Sequence, residues 1–458
     1  MKFKTINPAT EESIAEYELM NKDSVVSCAK DSNYAFQEWK KIDVSERAAY
    51  FRKLAKVLRD SKDKYGKLMT LEMGKPIKQS LGEVEKCALT AEVYADNAEK
   101  WLEEEVVQAD GKKHLVVFEP LGPILSIMPW NFPFWQAFRF GIPTLIAGNT
   151  SILKHSNIVP QCALAIEDSF KEAGFPDNVF KTIITDHEAV AELVKSDLIQ
   201  GVSLTGSTAA GSRIAELAGR NLKKVVLELG GSDPFIILDD ADIDFAAKNA
   251  VTGRTINSGQ SCIAAKRFIA VKNIADEFSK KFSEYTSALV VSDPMDMKTD
   301  VGPLVNKDGL LQIESQVNDA IAKGAKVLAG GKRLERKGFF YKPTVLGNIK
   351  NNMKVVTEEV FGPVAPIIVA KDEEDAIRIA NDSEFGLGAS IWTNDENKGL
   401  SMAKRIEAGA VFINSVVKSD PRMPFGGIKK SGIGRELSKY GLKEFVNVKG
   451  INVYEIKK

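Results

Sequence analysis

A chain of 458 residues is longer than one compact core accommodates, so two large domains are expected. Hydrophobic residues make up 44% and charged residues 27%, the makeup of a globular protein rather than a disordered or fibrous one. Lys plus Arg and Asp plus Glu both number 62, and a net charge of zero argues against a nucleic-acid or polyanion partner.

The N-terminus, MKFKTINPATEE, has no apolar run and does not read as a signal peptide. Residues 23–105 are mostly amphipathic helix. In VSERAAYFRKLAKVLRDSKDKYGKLMTLEMGKP, apolar residues recur every three or four positions until Gly74 and Pro76 end the run. A second helix is expected through about Leu102. Two short alternating segments follow, Val106 to Gln108 and His114 to Phe118, around an Ala109-Asp110-Gly111 turn that predicts a hairpin. Gly122 to Gly148 is the most apolar stretch. Pro129, Pro133, Pro143 and Arg139 interrupt it, which predicts buried strand, loop and helix rather than a membrane span.

From Gly122 the texture alternates between short Ile/Val/Leu-rich runs (GPILSIMP, NTSILKH, VFKTIIT, GVSLTG, KKVVLELGG) and helical stretches. That pattern predicts a parallel sheet wound with helices, an α/β fold. A second such series spans Pro234 to about Asn414, with strands near FIILDD, RFIAVKN, APIIVAK and AGAVFIN. The final EFVNVKGINVYEI alternates again and suits an edge strand.

Four cysteines (Cys28, Cys87, Cys162, Cys262) lie far apart without CxxC spacing, which points to a reducing cytoplasm rather than a disulfide framework. His114, His155 and His187 form no HExxH set, so no metal is expected, and none adjoins a GxSxG elbow. Cys262 differs from the other three. It closes Asn257-Ser258-Gly259-Gln260-Ser261-Cys262, a polar, glycine-bearing turn in which an exposed thiol would ionise and react. Upstream, Glu228 ends an apolar run before Leu229-Gly230-Gly231 and offers a base. The turn Thr205-Gly206-Ser207-Thr208 could cradle a pyrophosphate on a helix N-terminus, or Ser207 could simply cap that helix. Lys154-His155-Ser156-Asn157 ends another strand, where doubly wound sheets place ligands. The rigid Pro129-Trp130-Asn131-Phe132-Pro133 loop carries one amide that could donate to an oxyanion. Glu358-Glu359-Val360-Phe361-Gly362-Pro363 reads as a binding loop or a helix end.

PWNFP, LTGS, LELGG, GQSC, EEVFGP and PFGGIKKSGIGRE occur in one order over nearly the whole chain, and together they resemble the aldehyde dehydrogenase superfamily. LKHSNIVPQCALAIEDSF and SDPRMPFGG resemble its short succinate-semialdehyde dehydrogenases. The resemblance implies a Rossmann-type cofactor domain (1–101 and 120–229), an α/β catalytic domain (230–430) and a small β oligomerisation element (102–119 and 431–458), assembled as a dimer or tetramer. It implies Cys262 as nucleophile, Glu228 as general base and Asn131 as oxyanion donor, with Lys154 counted among the catalytic residues. For the cofactor it implies Trp130, Lys154, His155, Ser156, Asn157, Gly206, Ser207, Leu229, Glu359 and Phe361.

Relatives that prefer NAD often carry a glutamate where this chain has Asn157. An amide there, beside Lys154, favours NADP, with NAD as the alternative. Arg139 sits where semialdehyde dehydrogenases clamp the distal carboxylate, the alternative being a structural arginine paired elsewhere in the fold. Ile256 replaces a second arginine found in some relatives, and Arg254 lies nearby. The expected reaction is oxidation of succinate semialdehyde to succinate. Glyceraldehyde, lactaldehyde or a medium-chain aldehyde are alternative substrates. A CoA-acylating enzyme is disfavoured by the presence of Glu228, and a non-catalytic member of the fold by the intact Cys262, Glu228 and Asn131.

Overall fold

The computed structural model describes residues 2–456. Met1 and residues 457–458, the outermost positions of two of the expected domains, lie outside the described residues.

The first α/β series folds as one six-stranded sheet. Five parallel strands, Pro123–Met128, Thr150–His155, Phe180–Ile183, Gly201–Thr205 and Lys224–Glu228, lie in the spatial order fifth, fourth, first, second, third. The order in which strands are added to the sheet reverses between the first and fourth strands, which themselves pair in parallel. In such sheets ligands sit beyond the carboxyl ends at that switch point. The first strand runs there into Pro129-Trp130-Asn131, and the fourth into Gly206-Ser207. A second, seven-stranded sheet is built from Asp233–Ile237, Ala265–Val271, Lys326–Ala329, Thr344–Gly347, Val364–Ala370, Gly388–Trp392 and Ala410–Ile413. All its pairings are parallel except that of Lys326–Ala329 with Thr344–Gly347.

The helical region is divided differently from the pattern. The expected single run after Asp43 is two helices, Val44–Asp60 and Lys62–Met73, broken at Ser61. Gly74 closes the second with φ 80°, a left-handed C-cap that glycine adopts without strain. A long helix, Ile77–Trp101, follows. The helix Pro133–Ile146 is buried along its whole length, and its aromatic residues enter the core around Phe170, Phe175 and Phe180. The N-terminus of that helix is held by Glu83 of the long helix. Glu83 accepts the backbone N–H groups of Phe134 (2.9 Å) and Trp135 (2.8 Å) and is itself paired with the buried Lys75. Orphan donors at a buried helix start are thereby satisfied, and the PWNFP loop is fixed in place.

Strands Glu105–Val107, Lys113–Pro120 and Val446–Val453 form a separate antiparallel sheet. The segment before the last of these belongs elsewhere. Gly432 and Ile433 pair with Glu228 and Leu227, so residues 432–433 extend the six-stranded sheet rather than the expected oligomerisation element. The first eighteen residues carry a hairpin, Lys2–Ile6 with Ser13–Glu18, that the helical pattern of the following segment obscures. Among the described residues, no helix is long and apolar enough to cross a membrane.

Candidate active site

Two cavities meet at Cys262. One, of ≈ 350 Å³, is lined by Trp130, Asn131, Thr205, Gly206, Ser207, Leu229, Glu359 and Phe361 among others. The other, of ≈ 290 Å³, is lined by Phe132, Trp135, Arg139, Ile256, Ile263 and Phe425 with Lys86, Ser419 and further residues. Gln136 and Cys262 border both. A side chain at such a junction can react with a molecule on one side while a second molecule on the other takes up what is released.

The loop carrying Cys262 is held in a costly conformation. Asn257 and Ser258 are left-handed (φ 50° and 56°), and Gly259 follows at φ 79°. A Cβ on Gly259 would lie 2.4 Å from the Gly362 carbonyl, so only glycine fits. Non-glycine residues in this region cost about 1–3 kcal/mol each and persist only where their surroundings enforce them. The enforcement here is explicit. Arg254 donates to the carbonyls of Ala265, Gly259 and Val360. Gln79 Oε1 accepts from Asn257 N–H, and Gln260 Oε1 from Val305 N–H. Lys266 Nζ donates to the Ser261 and Cys262 carbonyls and pairs with Glu359 at 3.1 Å. Arg254 is therefore a staple of the loop and lines neither cavity.

The thiol departs from its expected state. Cys262 is half-buried rather than exposed, and burial pushes it up to about 11, with Arg139 and Lys266 opposing that rise. At neutral pH the resting side chain is a thiol, because desolvation penalises the thiolate more than these two cations stabilise it. The expected oxyanion donors are better prepared. Asn131 Nδ2 donates one hydrogen to the Gln260 carbonyl (3.1 Å), which fixes the amide plane and leaves its second N–H unused. The Cys262 backbone N–H has no partner among the described residues.

Glu228 lies at the end of its strand and lines neither cavity. Both carboxylate oxygens are buried without a hydrogen-bond partner, and a Cβ on Gly426 would lie 2.6 Å from Oε1. Burial, then the neighbouring Glu436, holds this carboxyl well above the usual carboxylate range. Burial without a hydrogen-bond partner disfavours its ionised form.

On the cofactor side, Ser207 accepts from Ala210 N–H and caps the helix Thr208–Arg220. The N–H groups of Ser207, Thr208 and Ala209 have no partner among the described residues, so cap and anion cradle coexist in one turn. Trp130 and Phe361 meet edge to face at 5.8 Å. Lys154 is buried at the end of its strand, makes no ion pair among the described residues and lines neither cavity. Asn157 is half-buried, and its side chain makes no hydrogen bond among the described residues. Ser156 Oγ accepts from Ile158 N–H within its own turn. His155 is a correction: it is buried, Nε2–H donates to the Pro133 carbonyl, and Nδ1 accepts from Ser156 N–H. Burial pushes it down to about 4, so it is a neutral packing group with no nitrogen left for a ligand.

Arg139 is a further correction. It lines the substrate-side cavity, but its guanidinium is already paired with the buried Glu436 and donates to Thr205 Oγ1 at 3.2 Å. The free cation expected of it is compensated within the fold. Sequence reasoning missed Glu436, Lys266 and Lys86. Each sits in a pattern that reads as an ordinary solvated charge.

The pattern of the aldehyde dehydrogenase family matches residues 1–451. The chain is 47% identical over 451 residues to the probable succinate-semialdehyde dehydrogenase (NADP+) of Synechocystis sp., covering 98% of this chain and 99% of that protein. It is 43% identical over 447 residues to a succinate semialdehyde dehydrogenase (NAD(P)+) of Escherichia coli, covering 98% and 97%. A crystal structure of succinic semialdehyde dehydrogenase from Streptococcus pyogenes in complex with NADP+ superimposes with a TM-score of 0.97 at 36% identity, over 99% of this chain and all of that one. Fold, matched length and ordered motifs agree, and the chain belongs to the aldehyde dehydrogenase family, whose members oxidise aldehydes to carboxylic acids.

Proposed function

We propose that the protein oxidises succinate semialdehyde to succinate with NADP+, by way of a thioester on Cys262. The carrying observation is the position of Cys262 between two cavities, one with unpaired amides at a helix N-terminus and the other largely apolar. The names of the relatives supply the substrate and cofactor.

The residues present fit a nicotinamide dinucleotide. The Ser207, Thr208 and Ala209 amides would take the pyrophosphate, Lys154 and Asn157 the adenosine ribose, and Glu359 the nicotinamide ribose, with Trp130, Leu229 and Phe361 along the path. Asn157 brings no negative charge against a 2′-phosphate, and Lys154 makes no ion pair among the described residues, with only Asp186 acting on it at longer range, which supports NADP over NAD. A bound nicotinamide would supply the hydride acceptor for the former carbonyl carbon once the thiol has added to it.

Cys262 gives its proton to solvent water, and the thiolate adds to the carbonyl carbon. The C–S bond forms, and the oxygen becomes an alkoxide held by Asn131 Nδ2–H and the Cys262 N–H. Loss of hydride leaves a thioester. Glu228 turns toward the cavity, ionises on hydration and takes a proton from water as that water attacks. The C–S bond breaks, and the acid departs. The free thiols suit a reducing cytoplasm. Exposed Val448, Ile451 and Val453 on the last strand support a homodimer or a dimer of dimers.

The test is reduced-cofactor absorbance with succinate semialdehyde, glyceraldehyde, lactaldehyde and hexanal, each with NAD+ and NADP+. A kcat/KM for succinate semialdehyde with NADP+ well above the rest supports the reading. A neutral aldehyde in front refutes the substrate assignment.

A further inference from the structure

Each charged side chain of the substrate-side cavity has an internal partner except two lysines. Arg139 is neutralised by Glu436, and Glu83 by Lys75 and two helix N–H groups. Of the lysines, Lys418 is exposed at the rim. Lys86 lies deeper, on the long helix Ile77–Trp101, and makes no ion pair among the described residues. Its Nζ stands 4.0 Å from the centre of the Trp135 ring and donates to Ser419 Oγ at 2.6 Å. Three elements thus hold one cationic head at the wall of the cavity that Cys262 closes.

We propose that Lys86 is the specificity-determining cation of this enzyme and receives the distal carboxylate of the semialdehyde. The proposal rests on the semialdehyde reading above. Its physical basis is the balance of charge: Lys86 is half-buried, Glu83 and Asp420 act on it only at a distance, and a carboxylate entering this cavity meets no other cation without an ion pair except exposed Lys418 among the described residues. An ammonium offered only a hydroxyl and an aromatic face keeps donor capacity for an anion. Burial, with help from the adjacent Arg139, lowers Lys86 to about 8. It therefore remains largely charged at neutral pH, and a bound carboxylate would relieve its unpaired state. The side chain also replaces what the sequence lacks at Ile256, which contributes an apolar wall to the same cavity. The clamp then acts from the long helix rather than from the nucleophile loop.

The experiment compares kcat/KM for succinate semialdehyde and for butanal, of similar length without the charge, in the wild-type enzyme and in Lys86→Met. The ratio of the two is expected to fall about ten- to a hundredfold, the scale of a lost hydrogen bond to a charged group. Lys86→Arg should restore most of it. Lys86→Gln keeps a stem and a donor for Ser419, and serves if the methionine variant folds poorly; it too should lose the ratio. A wild-type ratio near one overturns both the semialdehyde reading and this proposal. A high wild-type ratio that survives in Lys86→Met or Lys86→Gln overturns the Lys86 assignment alone.

Discussion

Arg139→Leu separates a structural arginine from a substrate clamp. Arg139 is 1% exposed and Glu436 is 3% exposed, and Glu228 adjoins them as a second buried carboxyl. Removing one member of a buried pair leaves the other charge uncompensated, at about 3–5 kcal/mol. A domain of 150–250 residues shifts its unfolding temperature by about 2–4 °C per kcal/mol, so a loss on the order of 10 °C is expected. The loss also has a sign in pH. Burial holds Glu436 above the ordinary carboxylate range while Arg139 pulls it down, so without Arg139 it rises further. The variant should therefore approach wild-type stability as pH falls and Glu436 protonates, and diverge from it as pH rises. Thermal unfolding at several pH values, with KM for succinate semialdehyde and butanal, reads both effects. An Arg139→Leu enzyme that melts with the wild type at every pH, yet loses affinity only for the carboxylated aldehyde, would refute the pairing argument and reinstate the clamp.

Two further outcomes follow from the site. Asn131→Ala removes an oriented amide donor and should lower kcat by about 10²–10³-fold with little change in cofactor affinity, measured by steady-state kinetics and fluorescence titration; a change below threefold would remove Asn131 from the oxyanion hole. With Cys262 raised to about 11, the thiolate fraction grows about tenfold per pH unit below that value. Iodoacetamide inactivation of the cofactor-free enzyme should therefore keep accelerating from pH 7 to pH 10, whereas a plateau below pH 8 would mean that the thiol is activated at rest.

Much of this fold is legible as pattern. Short β-branched runs separated by helical stretches mark both parallel sheets because buried parallel strands are apolar on both faces. The C-terminal strand and the hairpin pair as alternation predicts. Pattern fails where a tertiary contact decides the structure. Nothing local divides the helical run at Ser61, and Gly432-Ile433 joins the strand of Glu228 through a pairing more than two hundred residues long in sequence. The nucleophile loop is legible because its glycine and polar residues are the local cause of its shape. Its state of ionisation is not legible, because burial is supplied by distant segments. The same limit governs the charges. Arg139, Lys86 and Lys154 look alike in sequence, and only the fold gives the first a carboxylate, the second a hydroxyl and an aromatic face, and the third no ion-pair partner among the described residues.

In the proposed mechanism an acyl group rides on Cys262 until Glu228 delivers water. Glu228→Gln enzyme mixed with succinate semialdehyde and NADP+, quenched in acid and digested for mass spectrometry, tests it directly. The account predicts a burst of reduced cofactor near one equivalent per active site and a succinyl group on the peptide carrying Cys262. Undiminished steady turnover, or an acyl group on Cys28, Cys87 or Cys162 in its place, would contradict it.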